Sequence, residues 1–257
     1  MLVIDPSDRG RPIVLGQPVT TGEHEHEHSH EHSHETPARP PAGTTITVEQ
    51  RLLDKNDRLA ERNRGWLDGR GLLALNLMSS PGSGKTTLLE RTVRELHDEF
   101  GISVVEGDQE TLLDADRLKS TGCRVVQVNT GAGCHLDADM VSAALRTLDP
   151  PSPGLVFIEN VGNLVCPALF DLGERERVVI ASVTEGADKP LKYSAMFHAA
   201  SLVILNKIDL LPYVDFDVTQ FDEAISSVSH HAEQLRLSAT TGEGMDGWYN
   251  WLRSRVG

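Results

Sequence analysis

The chain has 257 residues, 38 acidic against 24 basic side chains and a formal net charge of -14, which suits one sizeable domain with appendages and argues against a general nucleic-acid or anionic-membrane binder. No apolar run approaches the roughly 18 to 20 residues of a membrane span, and Met1 to Gly10 lacks a basic segment followed by an apolar one, so a soluble, cytoplasmic protein is expected. Cys123, Cys134 and Cys166 are an odd, sparse set that excludes a disulfide framework and leaves thiols for metal or for packing.

Residues 1–43 contain Pro6, Pro12, Pro18, Pro37, Pro40 and Pro41 and few large apolar side chains, a composition that predicts a disordered tail. The tail has four more acids than bases, so about -10 of the charge stays on the rest of the chain. Within it His24, His26, His28, His30, His32 and His34 alternate with Glu or Ser. An extended segment would set all six imidazoles on one side, roughly 6.5 to 7 Å apart. Such ligands suit nickel, copper or zinc and release the ion on acidification. The plain alternatives are an incidental low-complexity tract or a purification tag, although a tag is normally a contiguous run.

Over 44–70, Thr47 and Gln50 have capping-box spacing, and Val48, Leu52, Leu59, Trp66 and Leu67 recur at helical intervals. This predicts an amphipathic helix. Over 71–257, apolar runs at Leu72 to Met78, Val104 to Val105, Val125 to Val128, Leu155 to Ile158, Val178 to Val183, Leu202 to Leu205 and Leu235 to Leu237 alternate with helical patterns. That order predicts an α/β domain, a mostly parallel sheet flanked by helices, with ligands at the carboxyl ends of its strands.

The first strand runs into Ser79-Ser80-Pro81-Gly82-Ser83-Gly84-Lys85-Thr86-Thr87 and then a helical stretch, the context of a P-loop. Gly82, Ser83, Gly84 and Thr87 belong to a loop and helix start whose N–H groups face phosphate oxygens. Lys85 supplies a point charge for the β and γ oxygens, and Thr86 a hydroxyl for Mg²⁺. Ser79 stands where such loops usually begin with glycine. Glu106-Gly107-Asp108 follows the second strand and Glu159-Asn160-Val161-Gly162-Asn163 the fourth. Asp108 and Glu159 are placed to hold Mg²⁺ or its waters, and Gly162 to bring an N–H close to a γ-phosphate. The plain alternative for each acid is an exposed loop carboxylate. No water-orienting glutamine or arginine finger stands out, so slow hydrolysis is expected.

In a loop that opens a helical stretch, Cys134-His135 offers a thiolate and an imidazole, and Cys166 lies four residues past Gly162. If the three share one ion, nucleotide bound near Gly162 would reposition Cys166, and metal would alter nucleotide affinity by the same factor. Three ligands leave a four-coordinate shell to be completed by water or a second subunit. The plain alternative is that both cysteines are small buried hydrophobes. Further on, Asn206-Lys207-Ile208-Asp209 follows a strand. An ionised Asp209 accepts from guanine N1–H and its 2-amino group, which adenine cannot satisfy. The Lys207 stem can cover the base, Asn206 can tie this loop to the P-loop, and Ser238 and Ala239 can complete the pocket.

Together SSPGSGKTT, EGDQET, NTGAGCHLDA, ENVGN, EGADKPLKY, NKIDLLP and SATTGEG, spread from about Leu72 to Trp251, resemble the HypB family, GTPases that help insert nickel into nickel–iron hydrogenase. The resemblance implies a P-loop GTPase of the dimerising class, a homodimer promoted by GTP, and GTP, Mg²⁺ and Ni²⁺ as ligands, with Zn²⁺ as a second candidate ion. It assigns Lys85, Thr86, Asp108 and Glu159 to catalysis, with Thr86 and Asp108 also at Mg²⁺, and Cys134, His135 and Cys166 to a metal site at the dimer interface. It further implies a hydrogenase accessory protein and the hydrogenase large subunit as partners. The chain lacks the short N-terminal cysteine motif some members use for nickel, which leaves its histidine tract to store or deliver the ion. A urease-type nickel GTPase and a nickel or zinc storage protein are the alternatives.

Overall fold

The computed structural model describes residues 3–4, 42–108, 113–131 and 133–256. The six histidines of the tract lie outside the described residues. In chain order the elements are β1 (Val3–Ile4), α1 (Ala42–Gly69), β2 (Leu72–Ser79), α2 (Lys85–Leu96), β3 (Ile102–Asp108), α3 (Leu113–Lys119), β4 (Arg124–Asn129), α4 (Ala138–Leu148), β5 (Gly154–Glu159), β6 (Glu176–Ser182), α5 (Lys189–Lys192), α6 (Ser194–His198), β7 (Leu202–Asn206), α7 (Val218–Val228), β8 (Glu233–Arg236) and α8 (Met245–Arg255). Two short 3-10 helices cover Cys166–Leu169 and Ile208–Tyr213.

The strands form one sheet in the order β1-β4-β3-β5-β2-β6-β7-β8, and every pairing among the described residues is parallel. The mostly parallel α/β fold expected from the apolar runs is therefore the one found. Central strand β2 shows why. All eight of its residues are buried, and alternate side chains enter different cores, because successive Cβ atoms point to opposite faces. Leu73, Leu75 and Leu77 pack with Leu88, Leu89 and Leu96 of α2 and Trp248 and Leu252 of α8. Leu72 and Ala74 pack on the other face with Leu67 of α1 and with Val141 and Leu145 of α4. Met78 joins Met196, Phe197 and Phe221 beneath α6 and α7.

Helix α1 starts at Ala42, so Thr47 lies inside it rather than capping it. It ends where Gly71 turns with φ +63°. Two asparagines seven residues apart on α1, and hence on one face, fasten it to the domain. Asn56 Oδ1 accepts from Ala138 N at 2.9 Å. Asn63 Nδ2 reaches Ala138 O at 2.8 Å and Leu172 O at 3.0 Å. Strand β8, EQLR, begins two residues before the apolar run that marks it in the sequence, as a polar edge strand carries a weak signal.

Because β2 lies between β5 and β6 while the chain moves outward in both directions, the carboxyl ends of β2, β3, β5 and β7 surround a crevice at the point where strand order reverses. Open parallel sheets bind ligands in such crevices.

Candidate functional site: a nucleotide cleft joined to a thiol cluster

The crevice is a cleft of about 550 Å³ lined by residues 79–87, by Glu106 to Asp108 and Arg117, by Glu159 to Gly162, and by Lys207. The loop between β2 and α2 owes its shape to Gly84, whose φ of +95° suits glycine and where a Cβ would stand 2.5 Å from Asn206 Nδ2. The first N–H groups of α2 thus open onto the cleft at the positive end of the helix dipole.

Lys85 Nζ lies 3.6 Å from Glu159 Oε1, and Thr86 Oγ1 donates to the same oxygen at 2.7 Å. Glu159 is 2 % exposed, and its Oε2, like Ser83 Oγ, has no hydrogen-bond partner among the described residues. A buried carboxylate oxygen left over in a phosphate-type cleft fits a hard divalent cation. Asp108, at the end of β3, lines the same cleft.

Two cleft residues were not singled out from the sequence. Glu106 sits in register with Glu159 across the β3–β5 pair and is buried. The sequence places it in a motif read as following the strand, whereas the strand continues through Asp108. Arg117 of α3 bonds Glu90 at 2.8 Å and approaches Thr87 Oγ1 at 3.5 Å. A lone arginine on a short helix carries no signature that would mark it. With these two, the lining offers Lys85, Arg117 and Lys207 against Glu106, Asp108 and Glu159. A polyanionic triphosphate entering so balanced a cleft needs a cation with it.

Asn206 organises the base side. Its Nδ2 donates to Ser83 O at 2.9 Å, while its Oδ1 accepts from Lys207 N at 2.7 Å and Ala239 N at 3.1 Å. Lys207, at φ +63°, reaches back to Gly82 O at 2.7 Å. Asp209 opens the 3-10 helix that follows. Ser238 Oγ accepts from Thr241 N at 3.1 Å, closing the turn after β8.

Cys134, His135 and Cys166 come together beside the cleft, with one ligand atom from each lying within 4.8 Å of the others. The two sulfurs are 2.7 Å apart, and Cys134 Sγ is 3.6 Å from His135 Nδ1. His135 stacks on Phe170, centroids 3.9 Å apart. All three are half-buried, and they are the one group of three or more such ligands among the described residues. Cys123, by contrast, packs against the core with its thiol on Leu118 O at 3.7 Å, and burial raises its pKa.

Burial lowers the His135 pKa, only partly offset by Asp137, so the ring is neutral near pH 7 and ready to ligate. The hydrogen bond shared between the two thiols, with burial, raises that of Cys166, so this thiol keeps its proton there. A metal ion must expel that proton, and affinity should therefore rise with pH between about 7 and 8. Calorimetry in buffers of different ionisation enthalpy would register the released proton; a pH-independent affinity over that range would contradict the assignment.

A family described as "CobW/HypB/UreG, nucleotide-binding domain" matches residues 73–236. The hydrogenase maturation factor HypB of Escherichia coli strain K12 is 56% identical over 210 residues, covering 82% of this chain and 72% of that protein. The crystal structure of HypB from Archaeoglobus fulgidus superposes with a TM-score of 0.74 at 38% identity, covering 79% of this chain and 100% of that one. HypB from Helicobacter pylori in complex with nickel gives 0.74 at 40% identity, covering 79% and 95%.

Proposed function

Since the chain belongs to the HypB family of hydrogenase maturation factors, we propose that it is a GTP-hydrolysing metallochaperone that binds nickel and assists its insertion into nickel–iron hydrogenase. The observation that carries this reading is the thiol–thiol–imidazole cluster standing beside a P-loop cleft. Sulfur and imidazole suit Ni²⁺ and Zn²⁺, whereas the oxygen-lined cleft suits a hard ion. Mg²⁺ would be held by Thr86 with Asp108 and Glu159 nearby, and it would offset charge on the β- and γ-phosphates. Asp209 would read guanine, with Ser238 and Ala239 closing the pocket. Lys85 would stabilise charge on the transferring phosphoryl group, and Gly162, whose Cα side meets Pro81 closely, leaves an N–H free of side-chain obstruction at the phosphate end. Slow intrinsic turnover is part of this reading.

Three ligands per chain leave nickel open to water or to a second copy. Val165 and Leu169, flanking Cys166, are exposed at 56% and 58%, an apolar surface suited to a GTP-promoted homodimer. A hydrogenase accessory protein and the large subunit would receive the ion, in the cytoplasm; no helix among the described residues is long and apolar enough to cross a membrane. Residues 1–43 would be a tail except where Val3–Ile4 and residues 42–43 enter β1 and α1, 44–70 the N-terminal helix and 71–257 the G domain.

The test is equilibrium dialysis of nickel against the GDP-bound and GTP-analogue-bound protein, wild type and Cys166→Ala. Loss of a direct ligand should weaken binding at this site by more than the roughly 10- to 100-fold typical of losing an outer-shell partner. GTP hydrolysis and subunit association that respond to nickel equally in wild type and Cys134→Ala would refute the metal assignment.

A further inference from the structure

The cleft and the cluster share one short loop, and its two asparagines hold opposite halves of the cluster. Asn160 is 1 % exposed. Its Oδ1 accepts from Leu136 N at 3.2 Å and from Val161 N at 3.0 Å, and its Nδ2 donates to Asn76 Oδ1 at 3.2 Å. Leu136 is the residue after His135, and its side chain is in turn wedged against Gly107, where a Cβ would meet it at 2.8 Å. Asn163 Oδ1 accepts from Val165 N at 2.7 Å and Cys166 N at 3.4 Å. Asn160 therefore fixes the backbone beside His135, and Asn163 fixes the backbone of Cys166.

The same loop is gripped by the phosphate site at two points. Glu159, one residue before Asn160, takes the hydroxyl of Thr86 and lies near the ammonium of Lys85. Gly162, one residue before Asn163, lies against Pro81 of the P-loop. The far side of Asn160 cannot give way. Asn76 passes its own amide to Glu174 Oε1 at 3.3 Å, and Glu174 is held by Arg177 at 2.6 Å and by Leu172 N at 2.7 Å. The backbone on the far side of Leu136 is held by Asn56 through Ala138 N.

We propose that Asn160 and Asn163 are the positioning residues that couple nucleotide state to metal affinity. This rests on the nickel-GTPase reading. Phosphate oxygens at Lys85 and Thr86 compete with Glu159 for the same donors and repel its carboxylate. Displacing Glu159 pulls on the loop; Asn160 holds the His135 side against its braced partners while Asn163 carries Cys166 with the shift, so the separation of His135 from Cys166 changes. A buried amide that bonds three partners has discrete arrangements rather than continuous ones, which is what transmits a state instead of damping it.

The experiment measures nickel affinity by equilibrium dialysis in the GDP-bound and GTP-analogue-bound proteins, and compares the ratio of the two in wild type, Asn160→Ala and Asn163→Ala. Couplings of this kind are typically about 5- to 150-fold. Each alanine should bring the ratio close to one while leaving measurable nickel binding. A purely structural role would weaken both states by the same factor and leave the ratio alone. Half-buried Asn163 provides a variant free of the folding risk at Asn160. A ratio within about twofold of wild type in Asn163→Ala overturns the proposal. So does loss of nickel from both nucleotide states, since the residue would then build the site rather than couple it. If wild type itself shows a ratio of one, the parent reading of linked sites fails, and the outcome is distinguishable because it appears before any substitution.

Discussion

Asp209→Asn should lower GTP affinity by about 10²- to 10⁴-fold and transfer that affinity to xanthosine triphosphate. The Asp209 carboxylate is half-buried and makes no hydrogen bond or ion pair among the described residues, so its replacement disturbs no protein contact. As a carboxylate it would accept from guanine N1–H and from the 2-amino group in the proposed site. Two hydrogen bonds to a charged group contribute about 1.5–3 kcal/mol each, and each 1.4 kcal/mol is tenfold in affinity. An asparagine keeps one acceptor and turns the other into a donor. Xanthine, which has N1–H and a carbonyl at position 2, matches that pair, while guanine then faces donor against donor. Displacement of a fluorescent nucleotide by each triphosphate measures both limbs. Unchanged GTP affinity would remove Asp209 from the base site, and loss of affinity for both nucleotides would mean the loop had collapsed.

Lys85→Ala should slow GTP hydrolysis by about 10²- to 10³-fold, the cost of removing one aligned group that stabilises transition-state charge. Lys85 begins α2 and lies 3.6 Å from the buried Glu159 carboxylate. Without it, that carboxylate faces incoming phosphate with its nearest cation gone, so the substitution both removes attraction and exposes repulsion. Arg117 does not substitute, because its guanidinium is engaged with Glu90 at 2.8 Å. Single-turnover release of phosphate at saturating GTP isolates the chemical step from binding. A rate within tenfold of wild type would show that the backbone N–H groups and the cation suffice.

The sheet was legible because strands buried on both faces must be written as uninterrupted apolar runs; Leu72 to Met78 and Leu202 to Leu205 are unmistakable. The ends of strands were harder. Glu106 and Asp108 look like loop residues because they are charged, yet they stay in the sheet, since their neighbours on β4 and β5 pair with them and their side chains open onto the cleft. That the loops at residues 79–87 and at Asn206 meet at one cleft was readable for a different reason: ligand chemistry of the kind expected there is written in consecutive residues. What consecutive residues do not reveal is a partner far along the chain. Asn56 and Asn63 read as the polar side of an amphipathic helix, and they are buried because Ala138 and Leu172 offer matching backbone groups more than seventy positions away. Asn76 likewise breaks an apolar strand, a local conflict that makes sense only once Asn160 and Glu174 stand beside it.

The threefold bonding of Asn206 has a thermodynamic corollary. Because that one amide joins Ser83, Lys207 and Ala239, the loops that would seat the phosphates and the base are tied to each other by the fold itself. Little conformational entropy then remains to be lost on association at this end of the cleft, so capture of guanosine nucleotides should proceed without a slow rearrangement of the base pocket, leaving the Glu159 loop as the place where kinetics report a change of state.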